Sequence, residues 1–163
     1  MRIRDQKKFD AVVTSSIELV NKLGFAEISM HKIAERAKIS PGTIYIHFNN
    51  KNDLFEKIYI MIRENISAGT LDGIDSIPEH DVEKIFKTIW RNSFSYNLKH
   101  REYLIYREKF EQTPLMQNIQ GREFEVQKYV EKLFVRGIKN EIIKDLPIPL
   151  LISFAFIPVI TLG

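Results

Sequence analysis

The sequence has no cysteine among its 163 residues, which excludes disulfide bridges, thiolate metal sites and cysteine nucleophiles. It also lacks a glycine-rich phosphate-binding loop, and its four histidines are too scattered for the ligand spacing of a metal site. No acid–base pairing typical of a catalytic site is recognisable in it. We therefore expect no catalytic residues, no metal, no cofactor and no enzyme activity.

Long alternations of apolar and polar residues, which would indicate β-strands, are missing as well. Apolar residues recur instead every three or four positions, so the predicted fold class is all-α. The sequence begins with charged residues rather than with the apolar run of a signal peptide. The default expectation is therefore a cytoplasmic location.

The modest net charge of +3 is unevenly distributed along the chain. Residues 1–51 hold nine lysines and arginines against five aspartates and glutamates, whereas the remaining residues hold fifteen against sixteen. A local positive excess attracts phosphate groups, although many basic surfaces are simply solvated. This excess gains weight because it coincides with a motif in the same part of the chain.

The motif lies in residues 29–51, which are predicted to form two short helices joined by a tight turn. Ser29 is a candidate N-cap of the first helix, and Ser40 starts the second with a capping hydroxyl ahead of a proline. In the second helix Ile44 and Phe48 are one turn apart and can face inward, so the residues between them point away. A short helix braced in this way fits the major groove of DNA.

This segment resembles the DNA-binding segment of the tetracycline-repressor (TetR) family of bacterial transcription regulators. The matching residues are Ser29, Ile33-Ala34, Ala37-Lys38-Ile39-Ser40, Gly42-Thr43-Ile44-Tyr45-Ile46-His47-Phe48, Lys51 and Leu54. The upstream helix and Gly24-Phe25 extend the resemblance to roughly residues 8–65. It implies a three-helix helix-turn-helix DNA-binding domain, residues 1–50, and a helical effector-binding and dimerisation domain, residues 51–163.

The resemblance also implies which residues touch DNA, by transfer to matching positions. We expect Pro41, Gly42, Thr43 and Ile46 to face base edges, and Ser29, Tyr45, His47 and Lys51 to meet phosphates. For His47, a surface position without a partner is the alternative. Lys38 stands where the family usually has glycine, at a cost of about 1 kcal/mol if the backbone is left-handed there, and it adds charge near DNA. Ile46 replaces the usual aromatic residue, and its apolar surface can meet a thymine methyl group.

A single helix of this kind reads only a few base pairs. Two copies spaced about 34–36 Å apart would read successive major grooves on one face of DNA. We therefore expect a homodimer on a near-palindromic duplex operator, acting as a ligand-responsive repressor of transcription.

Aromatic residues in the second half of the chain form the candidate effector pocket. They are Phe86, Trp90, Phe94, Tyr103, Tyr106 and Phe110, with Arg91, His100 and Arg107 nearby. Aromatic walls with a few polar groups suit a small, mostly apolar ligand, including one that bears an anion. Ordinary core packing is the alternative for each aromatic residue.

Two further predictions concern the helices near the end of the chain. Thr113-Pro114 resembles an N-cap and first turn, and predicts a long helix that reaches about Lys139. Residues 146–163 carry no charge, which fits either a membrane span or a buried helix from about Leu150; three prolines favour the buried helix. Such an apolar ending suggests that the natural chain continues beyond Gly163, and pairing with a second subunit would bury it.

Other functions remain as alternatives to a transcription regulator. A helical hairpin can resemble the motif without binding DNA, in which case the chain is a protein-interaction or RNA-binding module or, less in keeping with the sequence, an enzyme. The aromatic platforms that RNA-binding sheets use are absent from the pattern.

Overall fold

The computed structural model describes residues 3–161 of the chain, and side chains from residue 5 to residue 158. The regular secondary structure of this part consists of helices and includes no strand, which confirms the all-α prediction. The α-helices are α1 (Ile3–Leu23), α2 (Met30–Arg36), α3 (Pro41–Ile44), α4 (Lys51–Thr70), α5 (Val82–Lys99), α6 (Arg101–Glu111), α7 (Glu125–Lys139) and α8 (Ile148–Thr161). Two 3₁₀ helices, Ile74–Ser76 and Pro114–Ile119, lie between them.

Contacts between residues divide the chain into two units. The first unit, here called the head, comprises Met1–Ile62 and Glu102–Gln120, and the second, called the bundle, comprises Arg63–Arg101 and Gly121–Gly163. In this division the first part of α4 and nearly all of α6 group with the head, and the expected domain boundary at residue 50 stays a prediction. The last two residues of the expected second domain lie outside the described part.

The core of the head forms because apolar residues of α1 recur at helical spacing and meet the two short helices. Val12, Val20, Ile33 and Ile44 are almost completely buried. Helix α1 ends where Gly24 adopts a left-handed backbone with φ of +79°, and the Gly24 N–H donates to the Val20 carbonyl over 2.9 Å. These contacts fix α2 and α3 against α1.

Helix α6 joins the head through one ammonium group and one aromatic cluster. Lys109 Nζ donates to the carbonyl oxygens of Val20 and Asn21, at 3.2 and 2.7 Å, at the end of α1 where such oxygens lack helical partners. Phe25 packs edge-on against Tyr106 and Phe110 of α6, with ring centroids 5.3 and 5.8 Å apart. A segment distant in sequence thereby completes the core.

The bundle has its own core on the facing sides of α5, α7 and α8. Buried residues of α5 and α7, among them Ile85, Ile89, Leu133 and Phe134, form its centre. Leu151 and Phe156 of α8 are partly buried against this cluster. The apolar periodicity of each helix accounts for which face is covered.

The prediction of one helix from residue 113 to 139 is wrong. Pro114–Ile119 is a 3₁₀ helix, and α7 begins only at Glu125. Gly121 lies between them with φ of +86°, a left-handed conformation that a continuous α-helix cannot contain. The Phe124 N–H then donates to the Gln127 side chain over 3.1 Å and starts a new helix.

The apolar ending forms α8, which begins two residues earlier than expected and is less buried than expected. Leu150, Phe154 and Ile157 are exposed, Phe154 by 74%. In the described residues, no helix combines the length and apolar character that crossing a membrane requires. The expected continuation beyond Gly163 lies outside those residues.

Candidate nucleic-acid interface

The turn between α2 and α3 depends on one left-handed residue. Lys38 has φ of +55°, a region in which side chains other than glycine are strained. Its N–H donates to the Glu35 carbonyl over 3.1 Å, and the next N–H, of Ile39, donates to the Ala34 carbonyl over 3.0 Å. These bonds satisfy the end of α2 and redirect the chain into α3.

Helix α3 and the turn after it are anchored by two buried side chains. Ile44 is fully buried and Phe48 nearly so, and the Phe48 ring stacks on Phe9 of α1 with centroids 5.6 Å apart. The inward orientation predicted for both residues is confirmed. Helix α3 itself ends at Ile44, because the following N–H groups bond to Thr43 and Ile44 in a tighter turn.

The residues between these anchors face outward. Ile46 is 74% exposed and Tyr45 is 55% exposed, although both are large side chains with apolar surface. Gly42 is exposed, and a Cβ atom placed on it would have no neighbour within 4 Å. Pro41 is also exposed and Thr43 is half-buried. The structure therefore brings the four expected base-facing residues to one open surface, and their roles remain predictions.

The hydroxyl groups of this surface are held in defined positions. Ser29 is the N-cap of α2 and accepts the Lys32 N–H over 3.2 Å, as its position in the motif predicted. Ser40 does not cap α3 through its side chain, which corrects the expectation for that residue. Its hydroxyl lies 2.9 Å from the Thr43 hydroxyl instead, and this pair orients Thr43.

Two expected phosphate-contacting residues have partners within the head. Lys51 Nζ donates to the Ile28 carbonyl over 3.1 Å and so ties the start of α4 to the start of α2. The His47 ring packs edge-on against Phe9 with centroids 5.5 Å apart. Each still has nitrogen atoms able to donate or accept, so these contacts orient the side chains and leave further bonding possible.

An acidic residue fixes the first turn of α4 directly after this surface. The Asp53 carboxylate accepts the Asn49 N–H over 2.8 Å and bonds to Lys57 Nζ at 3.0 Å, while the Asp53 N–H donates to the Asn50 side chain. Burial alone would raise the pKa of Asp53, but the Asn49 N–H and the Lys57 charge outweigh it and lower that pKa. Lys57 also donates to the His47 carbonyl over 3.2 Å.

The aromatic residues of the candidate effector pocket are divided between the two units. Tyr106 and Phe110 are fully buried in the head, and Tyr103 is half-buried in the same unit. In the bundle, Phe86 packs near Phe134 and Phe156 in the core.

Trp90 and Phe94 also belong to the bundle, where they stack on each other on one side of α5. Their ring centroids are 5.7 Å apart. Trp90 Nε1 donates to the Ala155 carbonyl of α8 over 3.0 Å. Neither ring is among the residues that line one cavity of this unit, which lies beside α4 and α7.

We did not predict that cavity, of about 590 Å³, from the sequence. It lies beside the last turns of α4, the 3₁₀ helix Ile74–Ser76 and the start of α7. Its lining includes Ser67, Asp75, Glu123 and Tyr129. Residues from three separated segments form it, so no local pattern in the sequence indicates it. Among the described residues, no group of histidines and carboxylates could hold a metal ion.

Comparisons with known proteins agree with this architecture. The family model described as "Bacterial regulatory proteins, tetR family" matches residues 12–58, and "Tetracyclin repressor-like, C-terminal domain" matches residues 82–163. The probable HTH-type transcriptional regulator YttP of Bacillus subtilis is 25% identical over 143 residues, which cover 86% of this chain and 69% of that protein.

Solved structures give the same result at the level of the fold. A TetR family transcription regulator from Marinobacter aquaeolei VT8 has a TM-score of 0.83 and 27% identity, and the match covers 99% of this chain and 84% of that one. The TetR-family regulator HI0893 from Haemophilus influenzae has a TM-score of 0.78 and 18% identity over 94% of this chain and 83% of its own. With the second model alone spanning half of the sequence, the chain belongs to the TetR family of transcriptional regulators, which are DNA-binding proteins and not enzymes.

Proposed function

We propose that this regulator is a ligand-responsive repressor that acts in the cytoplasm and binds a near-palindromic duplex operator as a homodimer. The observation that carries the proposal is the outward surface of α3 and of the turn after it, where Tyr45 and Ile46 are exposed while Ile44 and Phe48 are buried. Exposing two large side chains to water has no benefit for folding, whereas a groove of DNA would cover them.

Individual roles follow from the positions of the residues on this surface. Gly42 leaves its backbone open to close approach, Thr43 offers an oriented hydroxyl, and Ile46 offers an apolar surface to a thymine methyl group. Tyr45 and Lys38 extend from the same region toward the phosphates. We assign base reading to the first three residues and sequence-independent attraction to the last two.

We also assign a phosphate contact to Ser29 and the first N–H groups of α2. The Ser29 oxygen already accepts the Lys32 N–H, so its own hydrogen is available for donation to a phosphate oxygen. Lys51 holds the carbonyl just before Ser29 and contributes positive charge there. We assign to His47 a contact with a phosphate of the DNA backbone on the same side.

Dimer formation is supported by the apolar stripe on α8. Leu150, Phe154 and Ile157 are spaced four and three residues apart, lie on one helix face and are exposed. A second subunit would remove this stripe from water, and a paired protein would present two heads to one operator.

An effector is supported by the bundle, which contains a cavity of suitable size. The regulator FadR from Bacillus subtilis, of similar fold with a TM-score of 0.75 and 19% identity over 94% of this chain and 83% of its own, was solved in complex with stearoyl-CoA. We extend to this chain only the use of the bundle for a ligand. Helix α4 runs through both units, so we propose that it transmits the response.

The proposal is tested by selecting bound duplexes from a random pool and measuring affinities for the selected sequence and for base-pair variants. Thr43→Ala should reduce discrimination at one position by about tenfold, because it removes one base-reading hydroxyl. Thr43→Ser should retain discrimination, since it keeps that hydroxyl. Tyr45→Ala should weaken binding to all duplexes alike.

Thr14→Ala, at an exposed position of α1, is the matched control and should change neither affinity nor preference. A selection that enriches no duplex would refute the proposed function. Unchanged discrimination in Thr43→Ala would remove that residue from the base-reading set.

A further inference from the structure

The cavity in the bundle has the size and the lining of a ligand site. Its volume of about 590 Å³ falls in the range of pockets that enclose drug-sized molecules. Ala68, Leu71 and Ile74 form an apolar part of the wall, and the half-buried ring of Tyr129 lies beside them. Such a wall favours a ligand that is largely hydrocarbon.

The charged groups of the lining are mostly acidic. Four carboxylates and one guanidinium group line the cavity; they are Glu64, Asp75, Glu123, Glu125 and Arg122. Arg122 pairs with Glu64 at 3.0 Å, and Lys128 pairs with Glu125 at 3.5 Å. Asp75 and Glu123 have no ion-pair partner among the described residues. The lining therefore keeps an excess of negative charge.

The electrostatic surroundings of Tyr129 are consistent with that excess. Burial raises the pKa of the Tyr129 hydroxyl, and although Arg136 acts to lower it, Asp75 and Glu79 raise it further. The ring face of a tyrosine attracts cations, and it does so more strongly where negative groups surround it. A neighbouring aromatic ring, Phe124, already has the Arg63 guanidinium 4.5 Å above it.

A buried hydroxyl in the same wall lacks a hydrogen-bond partner. Ser67 is only 5% exposed, and its Oγ atom has no partner in the structure. An unsatisfied buried polar group costs about 1–3 kcal/mol, so such groups normally find partners. This Oγ atom has almost no surface accessible to water, so Ser67 contributes to the wall of the cavity and not a hydrogen bond to a ligand.

We propose that this cavity binds a mostly apolar organic ammonium ion. The charged nitrogen lies near Asp75 and Glu123, while the hydrocarbon part packs on the apolar wall and the Tyr129 ring. The inference rests on the proposed function, because it takes the cavity to be the effector site. It keeps the sequence-based expectation of a small, mostly apolar ligand and favours a cation over the anion that the sequence allowed.

Three probes with one carbon skeleton and different charge test the inference. The probes are 4-phenylbutylammonium, 4-phenylbutanol and 4-phenylbutanoate, titrated into the full chain at pH 7 in a calorimeter. The ammonium ion should bind more tightly than the alcohol, and at least about tenfold more tightly than the carboxylate, given two unpaired carboxylates at about two- to fivefold each. Equal binding of ammonium and alcohol, or tightest binding of the carboxylate, would overturn the inference.

Substitutions in the lining locate the site. Asp75→Asn and Glu123→Gln should each weaken ammonium binding about two- to fivefold and leave alcohol binding unchanged. Glu131→Gln on α7 removes the same charge outside the cavity and should have no effect. Unchanged ammonium binding in both lining variants would overturn the inference.

Binding of the selected duplex, measured on the same samples, separates this inference from the proposed function. A protein that binds the ammonium ion but selects no duplex would refute the repressor function and leave the site intact. A protein that binds its duplex but shows no preference for the ammonium ion would refute the site alone.

Discussion

Lys38 adopts a backbone conformation that glycine adopts without strain. Its φ of +55° places Cβ close to the backbone, which costs roughly 1 kcal/mol relative to glycine. Its side chain is exposed on the turn that precedes α3. The residue thus combines a cost in stability with a positive charge beside the proposed DNA surface.

The two effects of Lys38 can be separated by two substitutions. Lys38→Gly should raise the free energy of unfolding by about 1 kcal/mol, because it relieves the left-handed strain, whereas Lys38→Ala should not. Both remove the charge and should weaken duplex binding by a similar factor. Urea titration and fluorescence anisotropy measure the two quantities. Equal stability of the glycine and alanine variants would show that the strain is absent.

Residue positions were predictable where the cause lay within a few residues. The inward anchors Ile44 and Phe48 followed from helical spacing, and Ser29 followed from N-cap chemistry. The Ser40–Thr43 contact could not be predicted. The preference for serine at an N-cap does not show whether its hydroxyl bonds to the backbone or to a neighbouring hydroxyl. Ser67 gave no local signal, since its lack of a partner depends on segments far away in sequence.

At the scale of the element, α4 begins with a carboxylate that is more acidic than usual. The pKa of Asp53 is lowered from its ordinary value of 3.8, so its bonds to Asn49 and Lys57 stabilise the folded state above that pH. This contribution disappears as the pH falls through the lowered pKa, because the protonated carboxyl loses its charge.

Asp53→Asn should therefore lower the free energy of unfolding by about 1 kcal/mol at pH 7. The difference from the unsubstituted protein should shrink below pH 3.8, where the wild-type carboxylate itself becomes protonated. Urea titrations across this range measure it. Asp145→Asn, at an exposed site, is the control. A difference that stays constant with pH would contradict the ion-pair explanation.

A second element-scale feature is the close approach of α4 and α5 at Gly69. A Cβ atom on Gly69 would lie 2.1 Å from a carbon of the Tyr96 ring, which is far inside van der Waals contact. Gly69→Ala should therefore destabilise the protein by about 1–2 kcal/mol, despite the better helix propensity of alanine.

The same substitution in a Tyr96→Ala background should reverse in sign and stabilise by up to about 1 kcal/mol, since only the propensity term remains. A double-mutant cycle of unfolding free energies measures this. Additive effects would mean that the Tyr96 ring moves aside without cost.

Element boundaries were predictable only where local chemistry marks them. A glycine such as Gly24 is a local mark of a helix end, whereas the division at Gly121 was not predicted, because apolar residues continue at helical spacing on both sides of it. The helical pattern is the same whether the backbone between two segments is continuous or turned.

At the scale of the whole molecule, the notable feature is the apolar stripe on α8. Its residues Leu150, Phe154 and Ile157 are exposed to water. Phe154→Glu should weaken dimer formation by about a hundredfold, a loss typical of a central interface residue. Sedimentation measured over a range of protein concentrations tests this. Leu98→Glu, at an exposed apolar position of α5, is the control. Identical sedimentation of Phe154→Glu and the unsubstituted protein would contradict a dimer through α8.

Which segments fold together could not be predicted from composition or periodicity. The grouping of α6 with the head arises from Lys109 and Phe25, whose partners are about eighty residues away in sequence. No pattern of one or two turns contains that information.

Because Trp90 donates a hydrogen bond to the Ala155 carbonyl, its fluorescence reports on the contact between α5 and α8. The sequence has a single tryptophan, so all indole emission originates from the junction of α5 and α8. Detachment of α8 would free the indole N–H to water and shift that emission to longer wavelength. Melting of the bundle can thus be recorded without a label when tryptophan alone is excited, because the head contains tyrosines but no tryptophan.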